Sequence, residues 1–335
     1  EIAIPTLMTY SMTFTFGVTG NAMIIIAVIR FCCLKTATNY LTMSLAVADL
    51  LVSLICVPFR TAELFLSYWP LGGVMCKLLS YIRAVTTLAS ILTLTAISLE
   101  RWYVVIRPMQ ARSVCTPGWA YRVIACVWML SLSLSTPTLY AMWPVGDTIY
   151  HCQEKWPQKS LSEIFSVYFA TLIFLPMSIM LAAYSSTIYK LWFSTQTIQR
   201  DFDSGSESVE RYLEQGNNVP TSHGNAKSYF TKRKKRPSLP LVTSYHDGKN
   251  TTSSSTFLSL VVSLQVVRMM LTVVLLFLVC WGPHVVLGVL LKFGLVNPFT
   301  QEVYAMKIAF RLLSYLNSCL NPFCYNFMSK KFRRS

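Results

Sequence analysis

The sequence predicts an all-α membrane protein built as a bundle of seven membrane-spanning helices. Three observations predict it. The chain of 335 residues is 53% hydrophobic and only 13% charged, about half the charged share of a soluble domain. Seven apolar segments, at about 6–30, 40–64, 76–106, 119–142, 161–193, 262–291 and 303–326, approach or exceed the roughly 20 residues that a helix needs to cross a bilayer. The basic residues behind the net charge of +15 lie in loops between those segments, a pattern of membrane topology and not of nucleic-acid binding.

The elements follow in order. Residues 6–30 contain Gly20-Asn21. Residues 40–64 place Asp49 mid-helix, in Leu45-Ala-Val-Ala-Asp49, with Pro58 beyond it. Residues 76–106 hold a charge-free run from Ala84 to Leu99, roughly 24 Å as helix, which ends in the adjacent pair Glu100-Arg101. Residues 119–142 carry Trp128 and Pro137, and 161–193 carry Pro176 and Tyr184. Residues 262–291 carry Phe277-Leu-Val-Cys-Trp-Gly-Pro283, and 303–326 end in Asn321-Pro-Phe-Cys-Tyr325. Each of the prolines at 58, 137, 176, 283 and 322 removes an i→i−4 hydrogen bond and is expected to kink its helix. A bundle tolerates this because neighbours and water satisfy the freed carbonyls.

The loops set the orientation. The segments after the first, third and fifth spans, together with the C-terminus, carry Arg30, Lys35, Arg107, Arg112, the run Lys232–Arg236, Lys330, Lys331, Arg333 and Arg334; the alternate loops carry Lys155, Lys159 and Lys292. The basic side is cytoplasmic, which puts the N-terminus outside. The polar stretch 194–256 has nothing to form a core and is expected to be a disordered cytoplasmic loop between the fifth and sixth helices, within a single domain covering 1–335. Its basic run reads as a solvated segment drawn to the anionic inner leaflet of the lipid bilayer. Asn250-Thr-Thr252 fits the glycosylation pattern, but this topology leaves it in the cytosol and unmodified. Most of the ten cysteines lie in apolar segments and act as small hydrophobes. Cys76 and Cys152 are the pair at extracellular positions, and a bridge between them pins a loop across the mouth of the bundle.

Ionisable groups inside spans are costly and point to function. Asp49 is either a protonated carboxyl bonded to a neighbour or part of a site with Asn21, Ser90, Asn317 and Asn321. That oxygen-rich set suits a small hard cation. Phe277 and Trp281 share one helix face beside Pro283, as core packing or as a hinge whose state depends on how they pack.

Gly20-Asn21, Leu45-Ala-Val-Ala-Asp49, Cys76, Glu100-Arg101-Trp102, Trp128, Pro176 with Tyr184, Cys280-Trp-Gly-Pro283 and Asn321-Pro-x-x-Tyr325 resemble, in order and spacing, the rhodopsin-like G protein-coupled receptors. The match covers all seven spans and leaves out the long loop. Ile97-Ser-Leu-Glu-Arg-Trp-Tyr103, Arg107-Pro-Met-Gln110 and Leu313-Ser-Tyr-Leu-Asn-Ser-Cys-Leu-Asn-Pro322 resemble the cholecystokinin and orexin receptor branch. His151-Cys-Gln-Glu-Lys-Trp-Pro157 is similar to the orexin and neuropeptide FF branch. The resemblance implies one seven-transmembrane receptor domain with a short amphipathic C-terminal helix, located in the plasma membrane. It implies an extracellular peptide ligand, a heterotrimeric G protein, arrestin and receptor kinases as partners. No nucleic acid and no cofactor are expected, beyond an allosteric sodium ion at Asp49, Ser90, Asn317 and Asn321. By the same resemblance Glu100 restrains Arg101 at rest, and the sixth helix swings out to release it. Phe277, Trp281 and Pro283 form the switch, Tyr184 meets Tyr325 near Arg101, and Met109 inserts into the G protein. Many relatives also latch that arginine with an acid at the start of the sixth helix. Here Val262-Ser-Leu-Gln-Val-Val-Arg268 has none, so the latch is weak and ligand-independent activity is expected.

Helical counting outlines the outer cavity. Arg60 lies eleven residues beyond Asp49, Arg83 seven outward from Ser90, and Arg311 ten outward from Asn321, each on nearly the same face as its reference; Lys307 is one turn further out. Glu63, one turn above Arg60, is the one nearby acid. Either the bases snorkel outward, or they form a cationic vestibule for an acidic or sulfated side chain or a free carboxylate. Thr87, Tyr168, His284 and Tyr315 complete the pocket walls by family position, with Trp281 below. Arginine at 83 argues against a biogenic amine, and tyrosine at 315 against retinal. Three rivals stand beside the peptide receptor. A receptor of the same fold for a small anionic or lipid ligand shares the cavity. A transporter requires charged partners for Asp49 at its depth, which are lacking. An intramembrane enzyme requires a Ser–His or HExxH site, which is not visible.

Overall fold

The structure, a computed structural model, describes residues 3–31, 35–66, 69–146, 151–216, 250–297 and 300–328. Helix α1 runs Ala3–Arg30. Thr36 is extended and its side-chain oxygen accepts the Asn39 N–H, opening α2 (Ala37–Leu51). A π-helical turn, Val52–Cys56, then leads into α3 (Val57–Leu66). That turn lies just ahead of Pro58, whose ring and missing N–H do not fit regular i→i−4 pairing. Its extra residue rotates everything beyond it by about 100°. The counting that placed Arg60 on the Asp49 face assumed an uninterrupted helix; Arg60 nevertheless lines the outer cavity, as expected.

Helix α4 (Gly72–Ile106) is the central rod, buried along nearly its whole length. After it come α5 (Pro108–Val114), α6 (Pro117–Ser135, capped by the Thr116 side chain) and α7 (Pro137–Ala141). Pro137 does interrupt its span, since α6 ends two residues before it. Pro176, Pro283 and Pro322 instead lie inside continuous helices: α8 (Lys159–Gly216), α9 (Asn250–Lys292) and α10 (Gln301–Met328). Between α7 and α8 stand two short antiparallel strands, β1 (Met142–Val145) and β2 (His151–Glu154), which the all-α expectation did not foresee. Pro144 and the adjoining His151-Cys-Gln-Glu run give no alternating apolar pattern to announce them.

Among the described residues six spans are long and apolar enough to cross a membrane: Thr6–Arg30, Ala37–Glu63, Gly72–Ile106, Pro117–Ala141, Lys159–Phe193 and Leu271–Lys292. The seventh, α10, is a helix of 28 residues but more polar. Its outer half carries Glu302, Lys307 and Arg311, and its inner face buries Ser314, Asn317, Ser318 and Asn321. It is held by packing against α1 and not by lipid contact alone. The expected amphipathic C-terminal helix falls beyond residue 328, outside the described residues.

The chain groups into two compact units. The larger joins Glu1–Ile188 with Leu264–Ser335, and the smaller is Tyr189–Ser263. In the smaller, helix extends to Gly216 and resumes at Asn250, so residues 194–216 and 250–256 are helical where an irregular loop was expected. Extending an existing helix adds one hydrogen bond per residue fixed and avoids the cost of a new nucleus. The basic run Lys232–Arg236 lies outside the described residues.

Polar tethers join the rods of the larger unit. Asn21 Nδ2 donates to the Ser318 carbonyl at 2.9 Å and to the Gly17 carbonyl at 2.8 Å, linking α1 to α10. Trp128 Nε1 donates to Ser44 Oγ at 3.1 Å, linking α6 to α2. Beside Asn21, Gly20 lets the backbone of α1 approach α10 closely: a Cβ there would stand 2.7 Å from the Pro322 ring.

Candidate functional site

At the hairpin end of the larger unit lies a cavity of about 930 Å³. It is walled by α1, α3, α4, α7, β1, β2, α8, α9 and α10. The Cys76–Cys152 disulfide fixes β2 to the start of α4 and so forms one wall. Arg60, Glu63, Arg83, Thr87, Trp281, His284, Lys307 and Arg311 all line this cavity. Arg60 is ion-paired with Glu63 one turn on. Arg83 donates to Ser314 Oγ at 3.0 Å, and its guanidinium carbon lies 4.6 Å from the Tyr315 ring centre and 5.6 Å from that of Trp281. Thr87 returns its hydroxyl proton to the Arg83 carbonyl. His284 meets Trp281 edge-on at 6.1 Å, and Trp281 stacks on the fully buried Phe277 at 6.1 Å.

Two expected walls are placed differently. Tyr168 turns away: its hydroxyl donates to the Leu134 carbonyl of α6 at 2.8 Å, and Phe165 and Phe169 line the cavity in its place. A residue in a helix faces about 100° from its neighbour, so one position decides which wall it joins. Tyr315 lies beneath the cavity floor, buried against Tyr10.

Glu63 is not the one acid there. Glu154 of β2 also lines the cavity, where its Oε1 receives Lys292 Nζ at 3.0 Å, Trp156 Nε1 at 2.6 Å and Ser162 Oγ at 3.1 Å. Sequence reasoning missed it because its role depends on the strand. The two acids are thus each engaged by one base, Arg60 and Lys292. Among the described residues Arg83, Lys307 and Arg311 have no acidic partner, so the cavity keeps an excess of positive charge.

Deeper in lies a second cavity with about 10 Å³ of room, about one water-sized sphere. Asp49, Ser90, Asn317 and Ser318 line it, with Phe277, Trp281 and Tyr315 toward the larger cavity. Asp49 is buried, and Asn321 Nδ2 donates to its Oδ2 at 2.7 Å. Asn321 therefore holds the carboxylate from outside the cavity, while Ser318 takes a wall position. Asn21 serves α10 and not Asp49. Asn317 Oδ1 and the Tyr315 hydroxyl are buried without a hydrogen-bond partner.

At the opposite end the charge pair stands as the sequence places it, with an added partner. Arg101 Nε lies 3.6 Å from Glu100 Oε2, an ion pair too long for a hydrogen bond, and Nε has no hydrogen-bond acceptor. Glu100 is buried and takes the Thr38 hydroxyl at 2.8 Å to each carboxylate oxygen. Thr38 was not foreseen; its place in the first turn of α2 beside α4 appears only with the fold. Tyr184 accepts from Ser98 Oγ at 2.8 Å, one turn before Arg101, and Trp102 Nε1 reaches Ser186 Oγ at 3.1 Å, so α8 is joined to α4 at this level. Met109 is exposed at the start of α5. Burial, and then the Glu100 charge, push the Cys115 thiol upward and keep it protonated. The Tyr325 side chain lies outside the described residues.

A wide cavity at one end, a buried polar centre and a restrained arginine at the other define a heptahelical membrane receptor. Comparison with known proteins gives the family. The family model of the 7 transmembrane receptor (rhodopsin family) matches residues 20–325, and the chain belongs to that family, whose members are receptors and not enzymes. It is 31% identical over 352 residues to the gastrin/cholecystokinin type B receptor of Sus scrofa, covering 97% of this chain and 77% of that one. It is 29% identical over 339 residues to the cholecystokinin receptor of Xenopus laevis, covering 97% and 74%. It is 30% identical over 325 residues to the KiSS-1 receptor of Rattus norvegicus, covering 95% and 70%.

Proposed function

We propose that this chain is a plasma-membrane receptor, N-terminus outside, for an extracellular peptide that carries an anionic group. Agonist binding shifts the sixth span, α9, and activates a heterotrimeric G protein, with arrestin and receptor kinases as later partners. One observation carries the reading: Arg83, without an acidic partner among the described residues, sits over both Trp281 and Tyr315 at the floor of the cavity. An anion that pairs with Arg83 draws the guanidinium off those rings and changes how Trp281 packs. Lys307 and Arg311 extend the same positive field outward. The relatives named for peptides, gastrin and cholecystokinin, support a peptide, and the cavity volume lies at the upper end of what small-molecule sites occupy.

Two conformations with different ligand affinity suffice for signalling. In the resting one, Phe277, Trp281 and Pro283 hold the switch closed and Glu100 restrains Arg101. In the active one, Arg101 is released, Tyr184 approaches Tyr325, and Met109 offers apolar surface to the G protein. We read the small cavity as a site for a small hard cation such as sodium, with Arg83 also on its wall. Asp49 supplies a charged oxygen, Ser90 and Ser318 supply hydroxyls, and Asn317 Oδ1 is an acceptor awaiting a partner. Such an ion favours the resting state.

The test is a peptide panel, half of it with acidic or free-carboxylate termini, read by calcium and cyclic-AMP responses in cells. Arg83→Glu should lower agonist potency by a hundredfold or more at unchanged surface expression. Unchanged potency overturns the anionic ligand, and guanine-nucleotide exchange that never responds to any peptide overturns the receptor reading of the cavity.

A further inference from the structure

The hairpin at the mouth of the cavity has two edges, and β1 covers one edge of β2. Just beyond the strands, Lys155 donates its N–H to the Ala141 carbonyl at 2.9 Å. Facing residues in an antiparallel ladder alternate between hydrogen-bonded and non-bonded pairs. Counted inward from that bonded pair, Trp143 with Gln153 and Val145 with His151 are bonded, and Met142 with Glu154 and Pro144 with Cys152 are not. Pro144, which has no N–H to give, occupies a non-bonded position, in agreement. The backbone N–H and C=O groups of Cys152 and Glu154 therefore point away from β1. Among the described residues neither has a backbone partner on that side. All four residues of β2 line the cavity, against Met142 alone from β1, so the strand that carries this open edge is itself part of the cavity wall.

We propose that an extended peptide segment adds to the open edge of β2 as a third strand, exchanging main-chain hydrogen bonds with Cys152 and Glu154, with its anionic group about three residues deeper. The proposal rests on the reading of this chain as a peptide receptor and names how the peptide is held. Spacing and charge commit the edge to that occupant. Cys152 is tied to Cys76 with a Cα separation of 5.5 Å, and Arg83 lies seven residues further along α4. Seven residues of helix rise about 10.5 Å, which an extended chain at about 3.3 Å per residue crosses in three residues. A segment that leaves the Cys152 pairing and follows α4 inward for those three residues brings a carboxylate to the level of Arg83, with Lys307 and Arg311 of α10 lining the same cavity. Because the bonding groups of β2 are two residues apart, the ligand amides that matter are also two residues apart. Main-chain pairing supplies affinity, and the cationic floor selects what the strand ends in.

The experiment uses the full chain in lipid nanodiscs to capture members of a free-acid hexapeptide library, identified by mass spectrometry. Each captured peptide is then remade with single backbone N-methyl groups. N-methylation at two positions two residues apart should reduce retention about tenfold or more, and at the position between them less than twofold. On the receptor side, Glu154→Pro deletes one edge N–H while keeping an extended backbone, and should reduce retention clearly beyond Glu154→Ala, which removes the side-chain contacts alone. Uniform tolerance of N-methyl groups, with capture still lost in Arg83→Glu, overturns the strand pairing and leaves the peptide reading intact. Capture of no peptide by the unaltered receptor overturns both.

Discussion

Replacing Gly20 by alanine tests how tightly α1 and α10 are joined. The added methyl would stand 2.7 Å from Pro322 Cβ and 2.9 Å from its Cγ. The neighbour is a rigid ring within α10, so no side chain can swing aside. Reaching an ordinary contact of 3.4 Å requires the two helices to part by about 0.7 Å. The next residue, Asn21, donates across the same gap to the Ser318 carbonyl at 2.9 Å. The separation carries that contact to about 3.6 Å, outside hydrogen-bond range. Overpacking costs about 1–3 kcal/mol and the lost bond about 1 kcal/mol. Against this, alanine is favoured over glycine within a helix by about 1 kcal/mol. The net expectation is destabilisation by about 1–3 kcal/mol, read as a lower unfolding temperature of purified receptor in detergent. Gly288→Ala serves as the control, since nothing lies within 4 Å of its added methyl and only the propensity gain remains. If Gly20→Ala melts at or above the parent temperature, the close approach of the two helices is wrong.

Three further outcomes follow from the same contacts. Thr38→Val removes the hydroxyl from both Glu100 oxygens and leaves a buried carboxylate with one long ion pair, a loss of about 1–3 kcal/mol that Thr38→Ser should largely restore; equal melting of the valine variant and parent would count against the contact. Tyr168→Phe leaves the Leu134 carbonyl without its donor, so it should lower thermal stability by about 1 kcal/mol and change agonist potency less than threefold; a potency loss like that of Arg83→Glu would return Tyr168 to the cavity wall. The absence of an acid in Val262–Arg268 should appear as agonist-free nucleotide exchange in membranes that rises above that of receptor-free membranes, and a flat baseline would show that the Glu100 restraint alone suffices.

What the sequence revealed and what it hid divide along a physical line. Long-period features were legible. Apolar length gave the spans, and the Cys76–Cys152 bridge formed between the two cysteines that the sequence paired. Glu100 beside Arg101, and Asp49 among polar neighbours, were also found, because a charge in an apolar run stands out. Features that depend on a rotation of about 100° were not. Tyr168 faced α6 in place of the cavity for this reason, whereas Arg60 lines the cavity as expected even though a π-turn precedes it. Contacts between elements distant in sequence were hidden as well. Thr38 under Glu100, Ser314 under Arg83 and Glu154 against Lys292 are ordinary polar residues until the fold brings their partners near. Of the polar stretch 194–256, the described residues 194–216 and 250–256 continue the neighbouring helices, which composition alone does not announce.

The charge arrangement of the outer cavity is hard to explain as a device for stability. Two of its bases are engaged by acids, through Arg60 with Glu63 and Lys292 with Glu154. Among the described residues Arg83, Arg311 and Lys307 are not, and like charges gathered in one partly desolvated space raise the energy of the folded state. Apolar residues of similar size would pack the same space at lower cost. Arg83 is relieved in part by the faces of Tyr315 and Trp281, an attraction of about 1–2 kcal/mol that a carboxylate can outcompete once it is shielded from water. The ring contact thus holds the guanidinium in place, and on the proposed reading it would yield to an anionic ligand. The unsatisfied charge thus lies next to the aromatic stack of Phe277 and Trp281, and under the proposed reading neutralising that charge would repack the stack.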